Sequence, residues 1–294
     1  MLHLRPGAKV DLHVKQVIRT AISSVSVNRV NVAAGAFAFR WFLAIFPIII
    51  ALLGIAALVA IPSSVVIDLI HGVSKSLPAA AAQVFAKALG HTAKRTTTDL
   101  WATIIASVVG LWSATSGMVI VEEGLDMAYD LPADRSFVAK RLLALPLLAG
   151  ATILGGAASA LVVFGSQLGG LLADSVPVAG SAFGALWTTA RWIIALGLMN
   201  LLFSLLYYVA PNRPRQKWRW TSVGALLATF VWAIVSLAFS FYTSSFGSYA
   251  KTYGAFAGVA ILIFWLYLTG LAILIGGEVN AAIEGMATTP NVEP

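Results

Sequence analysis

The sequence predicts an all-α, polytopic membrane bundle of six transmembrane helices with amphipathic surface helices and both termini cytoplasmic. Three observations lead there. Of the 294 residues, 59% are apolar and only 11% charged, against roughly a quarter charged in soluble domains. Apolar runs of about 20 residues, the length that crosses a hydrocarbon core, recur along the whole chain. Lys and Arg are unevenly shared between alternate connecting segments, as topology demands.

Residues 1–30 carry Arg5, Lys9, Lys15, Arg19 and Arg29. Val10, Val14, Val17, Ile18, Ala21 and Val25 fall at three- and four-residue spacing, an apolar stripe opposite a basic face. Two readings suit it: a helix lying on an anionic leaflet, or one packed against the span ends. No compact apolar core followed by a small-residue cleavage site occurs here, so a removable signal peptide is not expected.

Spans are expected near 33–61, 100–121, 142–165, 186–210, 223–244 and 255–277, together forming a membrane domain over 31–284. The connection 62–99 holds a stripe of Val66, Leu69, Ile70, Val73 and Leu77, with Pro78 placed to open a second helix. Two external amphipathic helices over the bundle are the reading. A flexible tail is expected at 285–294.

Orientation follows from charge. Residues 1–30, the 122–141 loop and the 211–220 loop hold twelve cationic residues, against six on the other side. The loop "PNRPRQKWRW" contributes Arg213, Arg215, Lys217 and Arg219, with Trp218 and Trp220 suited to the headgroup level. A topogenic role explains it more simply than RNA binding, so no nucleic-acid partner is expected.

Arg40 lies inside the first apolar segment. That segment's 29 residues would extend about 43 Å at roughly 1.5 Å per residue, beyond a core of about 30 Å. The arginine can therefore snorkel to the headgroups. Alternatively it pairs with a carboxylate of the same level, Glu122 or Glu278, as a charge cluster at the membrane edge. Pro47, seven residues on, is a candidate hinge, with a static kink the commoner outcome.

Ser113, Thr115 and Ser116 read as interhelical hydrogen-bond formers rather than substrate ligands, and Asn200 as a polar group bonding a neighbouring helix. Gly254 with Gly258 marks a close-packing face. Glu122, Glu123, Asp126 and Asp130 read as an acidic face paired with Arg135, Lys140 and Arg141 rather than a metal site. Without Cys, and with His3, His13, His71 and His91 scattered over both sides, no metal centre or cofactor is expected. Phosphate-loop, HExxH and serine-nucleophile motifs are missing, so the chain does not read as an enzyme.

Several segments together resemble the YihY/BrkB family of bacterial inner-membrane proteins, once labelled ribonuclease BN. They are "AFRWFLAIFPIII", "GLWSATSGMVIVEEGLDMAYDLPADRSFVAKRLLAL", and "YYVAPNRPRQKWRWTSVGALLATFVW" with "FSFYTSSFGSYAKTYGAFAGVAILIFWLYLTGLAILIGGEVNAAIE". Arg40 stands where an aromatic is expected in many members, and Ala44 where Ser is common. The resemblance implies a six-span inner-membrane protein, a link to serum resistance and envelope integrity, and a role in moving lipids or other envelope components. The expectation is a translocase of phospholipid or another amphiphile, with membrane lipids as partners and Arg40 at the headgroup. An envelope-assembly partner protein is the alternative. The ribonuclease label comes third, because the residues supply no nuclease chemistry.

Overall fold

The computed structural model describes residues 6–58, 100–132, 135–175, 180–213, 221–245 and 247–288. Every regular element among them is helical. They are α1 (Pro6–Val27), α2 (Val30–Leu58), α3 (Leu100–Ala128), α4 (Phe137–Gly150), a π turn (Ala151–Gly155), α5 (Gly156–Ser175), α6 (Gly180–Val209), α7 (Val223–Ser245) and α8 (Gly247–Thr288). In an apolar solvent the backbone must satisfy its own hydrogen bonds, and a helix does so within one segment.

Three of these helical stretches are long and apolar enough to cross a membrane: Phe137–Val162, Leu186–Val209 and Val259–Glu284. Val30–Ala44 and Val223–Phe239 are shorter apolar helices. The helices outrun the predicted spans. The 100–121 span is the first part of α3, which continues to Ala128, and α8 continues to Thr288. Residues 285–288 of the expected flexible tail are therefore helical: Gly285 weakens the helix without ending it, and the strong breaker Pro290 comes only later in the sequence. The rest of that tail, and the predicted external helices at 62–99, lie outside the described residues.

Local chemistry sets the breaks. Between α1 and α2, Arg29 adopts φ 49°, a left-handed conformation uncommon for a residue with a Cβ. The turn is held by Asn28 N–H donating to Ser24 O at 2.8 Å and Arg29 N–H to Ser26 O at 3.3 Å. Ser136 caps α4, its hydroxyl accepting from Ala139 N–H at 3.3 Å, which satisfies a donor the first turn leaves open. Pro146 lies inside α4, five residues before the π turn. It removes one rung of the ladder, and single π turns are a common way for a helix to absorb such a defect.

α2 and α3 form the most extensive pair, α8 packs on both α7 and α2, and α6 packs on α5 and α7. Small residues let the helices approach. A Cβ at Gly124 would meet Leu274 Cδ2 at 2.6 Å, and one at Gly277 would meet Leu125 Cδ2 at 2.5 Å. Each glycine thus receives a leucine of the other helix, locking α3 to α8. α7 and α8 come closer still: a Cβ at Gly224 would lie 2.1 Å from the Gly276 carbonyl oxygen. The sequence pointed instead to Gly254 and Gly258, whose surroundings lie outside the described residues. Phe203, Leu125, Leu147 and Tyr207 fill the centre of the core. Phe39, Leu43, Ile105, Ile193 and Phe241 face outward, as expected of a surface solvated by lipid.

Candidate functional site

Two constellations stand out, one at the end of the bundle where α3 and α8 finish and one further back along α3. The first is buried. Glu122 and Glu278, on α3 and α8, are each only 1% exposed, and Asp126 and Asn280 are 4% exposed. An unpaired carboxylate so placed would carry a large desolvation cost, so partners decide whether it is tolerated.

Glu278 Oε1 accepts from Asn28 Nδ2 at 2.8 Å, and the same amide reaches Met127 O at 3.2 Å. Glu122 Oε2 lies 3.8 Å from Arg135 Nη1, yet neither Glu122 oxygen has a hydrogen bond. Arg135 directs its donors to α6: Nη1 to Ala210 O at 2.6 Å, Nη2 to Pro211 O at 3.2 Å and Nε to Asn212 Oδ1 at 3.1 Å. Asn212 N–H in turn donates to Asp126 Oδ1 at 2.6 Å. Carbonyls left open where α6 ends are thereby bonded, and the positive fork suits the negative end of that helix.

Beside it, Arg213 forms an ion pair with Glu284, donates from Nη2 to Tyr207 O at 3.2 Å and lies 4.2 Å above the Tyr129 ring. Burial pushes the Tyr129 hydroxyl up to about 12, against the opposite pull of Arg213. Asn280 accepts from Gly224 N–H at 2.9 Å and donates to Ser222 Oγ at 2.9 Å. Lys140 pairs with Glu123 at 2.7 Å.

The second constellation is on the outer surface. Arg141 of α4 donates from Nη1 to Trp112 O and to Thr115 Oγ1, both at 2.8 Å. Its guanidinium sits 4.2 Å over the Trp112 ring and 5.3 Å from that of Phe137, favourable cation–π contacts. Its Nε is buried and has no partner. Arg40 of α2 is exposed, and its charge repels that of Arg141. Glu122 lies ten residues further along α3 than Trp112, about 15 Å at roughly 1.5 Å per residue.

The predicted cluster of Arg40, Glu122 and Glu278 therefore does not form. Arg135 faces Glu122 and Asn28 bonds Glu278, while among the described residues Arg40 has no ion pair with either. The reason is depth: Trp41 packs on Gly117 and Phe37 on Gly270, and Glu122 and Glu278 come five and eight residues further along their helices. Ser116 Oγ donates to Trp112 O of its own helix at 2.8 Å rather than across helices, and Thr115 makes the interhelical contact. Ser113 is partly exposed on α3. Asn200 Nδ2 lies 3.4 Å from Thr229 Oγ1 on α7. Pro47 sits within α2, and its side chain lies outside the described residues, as do Arg215, Lys217 and Arg219. The sequence reading paired the acidic face with Arg135 and Lys140, as Glu122 and Glu123 show, but it passed over Asn28 and the hold of Arg135 on the end of α6. The one signal for Asn28 was a turn-forming residue between two helical patterns.

An outward-facing apolar shell, membrane-length helices and charges gathered at one end define a helical membrane protein. The chain belongs to the family described as virulence factor BrkB, whose family model matches residues 21–293. It is 32% identical over 257 residues to the ribonuclease-like protein YfkH of Bacillus subtilis (strain 168), covering 87% of this chain and 91% of that one. A UPF0761 membrane protein of Tolumonas auensis is 32% identical over 138 residues, 47% of this chain and 41% of its own. Another, from Alteromonas mediterranea, is 38% identical over 91 residues, 31% of each. No solved structure matches.

Proposed function

We propose that this protein is a six-span translocase of the bacterial inner membrane, with both termini cytoplasmic, that moves a phospholipid or another amphiphilic envelope component between leaflets. The observation that carries this reading is Arg40, an exposed cation on a helix that also exposes Phe39 and Leu43. A cation on a lipid-facing surface, with no protein carboxylate bonded to it among the described residues, suits an anionic headgroup. Membership of a membrane family supports the setting.

The test is leaflet exchange of a labelled phospholipid in vesicles reconstituted with the purified chain. Exchange above that of empty vesicles, reduced several-fold by Arg40→Ala, is the expected result; exchange equal to the empty control rejects it.

A second reading, an envelope-assembly partner without catalysis, is favoured by α1, which exposes Ile18 and Ile22 beside Lys15 and Arg19. Stoichiometric capture of a protein that depends on Ile18 and Ile22, together with absent lipid exchange, would establish it. A nuclease, suggested by the name of the Bacillus relative, is the third reading. It requires RNA cleavage that survives purification and is abolished by changing one carboxylate.

A further inference from the structure

We propose that Arg141 and Arg40 form a two-guanidinium site for the phosphodiester of an anionic membrane lipid, on the outer face of the bundle along α3, which packs on both α2 and α4. This deepens the reading above and rests on it for placing this face in lipid, but it does not require exchange between leaflets.

Arg141 is oriented before any ligand arrives. One nitrogen is spent on Trp112 O and Thr115 Oγ1, and the plane is set by Trp112 and Phe137. All four of these contacts are electrically neutral groups. The Nε–H is buried and has no acceptor, so Nη2 is the nitrogen left to meet an incoming anion.

The charges nearby raise the need for an anion rather than meeting it. Trp41, next to Arg40, packs against Gly117 of α3, two residues beyond the Thr115 that Arg141 bonds, so the two cations share one level, while Glu122 lies beside Arg135. Two like charges held near each other in a low-dielectric surround repel, so a bridging anion lowers the energy of both. A phosphodiester has two non-ester oxygens, and Arg141 Nη2 and the guanidinium of Arg40 can each take one.

The surroundings select a lipid over a free phosphate. Leu43 on α2, Val108 and Leu111 on α3, and Val138 and Leu142 on α4 are all exposed, offering apolar surface for acyl chains. Trp112 and Phe137 mark the headgroup level, where aromatic side chains gather. The stretch Phe137–Val162, long and apolar enough to span, begins there.

The full chain, purified in a non-ionic detergent, is titrated with phosphatidylglycerol, with a diacylglycerol of the same chains, and with inorganic phosphate. Saturable binding of phosphatidylglycerol is expected, with little binding of diacylglycerol, no displacement by inorganic phosphate at equal concentration, and an affinity lowered about tenfold or more by R40Q/R141Q. Arg141→Lys should fall between wild type and the double variant, because it keeps the charge and loses the planar group held against Trp112 and Phe137. Equal affinity in wild type and double variant overturns the site, and displacement by inorganic phosphate overturns the lipid assignment. Should Arg141 variants misfold, the surface change Arg40→Gln alone must weaken binding several-fold, and an unchanged affinity overturns the proposal. Intact binding without vesicle exchange would reject the translocase while leaving the site standing. Exchange that persists after binding is lost would do the reverse.

Discussion

Asn28 and Glu278 stand 250 residues apart in sequence and are joined by a 2.8 Å hydrogen bond between Nδ2 and Oε1. The bond fastens the α1–α2 turn to α8 and gives a buried carboxylate one of its few partners. Glu278 Oε2 has none.

Asn28→Ala should therefore destabilise the protein by about 1–3 kcal/mol, the cost of leaving a buried acceptor unpaired. Asn28→Asp should be worse, because it places a second carboxylate against the first. Denaturant unfolding of the purified protein in detergent measures both; an unchanged midpoint for Asn28→Ala would remove the bond from the account.

Arg135 binds three acceptors at the end of α6 and faces Glu122. Arg135→Ala should cost about 3–5 kcal/mol, since it strands a buried charge. Adding Glu122→Gln should recover part of that loss, and a double-mutant cycle should show coupling of about 1 kcal/mol or more. Strict additivity would mean that the two side chains do not act together. Arg135→Lys should not restore stability, because an ammonium cannot span the same acceptors.

Two glycines should respond in opposite senses. Gly224 faces the Gly276 carbonyl, and a Cβ would also meet Asn280 Cγ at 2.6 Å. Gly224→Ala must push α7 from α8 and should cost at least about 1–3 kcal/mol. Gly35, in the second turn of α2, has nothing within 4 Å of its Cβ position. Gly35→Ala should be neutral or stabilising by up to about 1 kcal/mol, because alanine is the better helix former. Thermal unfolding of the pair decides, and equal effects would mean that the α7–α8 contact is looser than it stands.

Helix existence was legible because lipid-facing and core-facing positions are both apolar, so long hydrophobic runs survive in the sequence as plain signals. The helix start at Val223 coincides with a span start read from the sequence. Helix ends were less legible. α3 runs seven residues past the predicted span end at Val121, because Glu122, Glu123 and Asp126 stop a hydropathy signal without stopping a helix. The snorkelling alternative for Arg40 needed only the segment's length. Its pairing with Glu122 or Glu278 needed depth along α3 and α8, which hydropathy does not encode.

By itself the sequence determined an all-helical membrane chain, its basic amphipathic start, and family membership visible in local motifs. Each of these depends on composition or spacing within one segment. Only the tertiary structure decided which cation meets which carboxylate, that Asn28 reaches Glu278, that Arg135 rather than Arg40 faces Glu122, and that Arg141, among the described residues, bonds neutral groups of α3 and forms no ion pair. Those outcomes depend on the relative depth and rotation of packed helices. Close contacts such as that of Gly224 with Gly276 set that geometry across more than 50 residues of intervening chain.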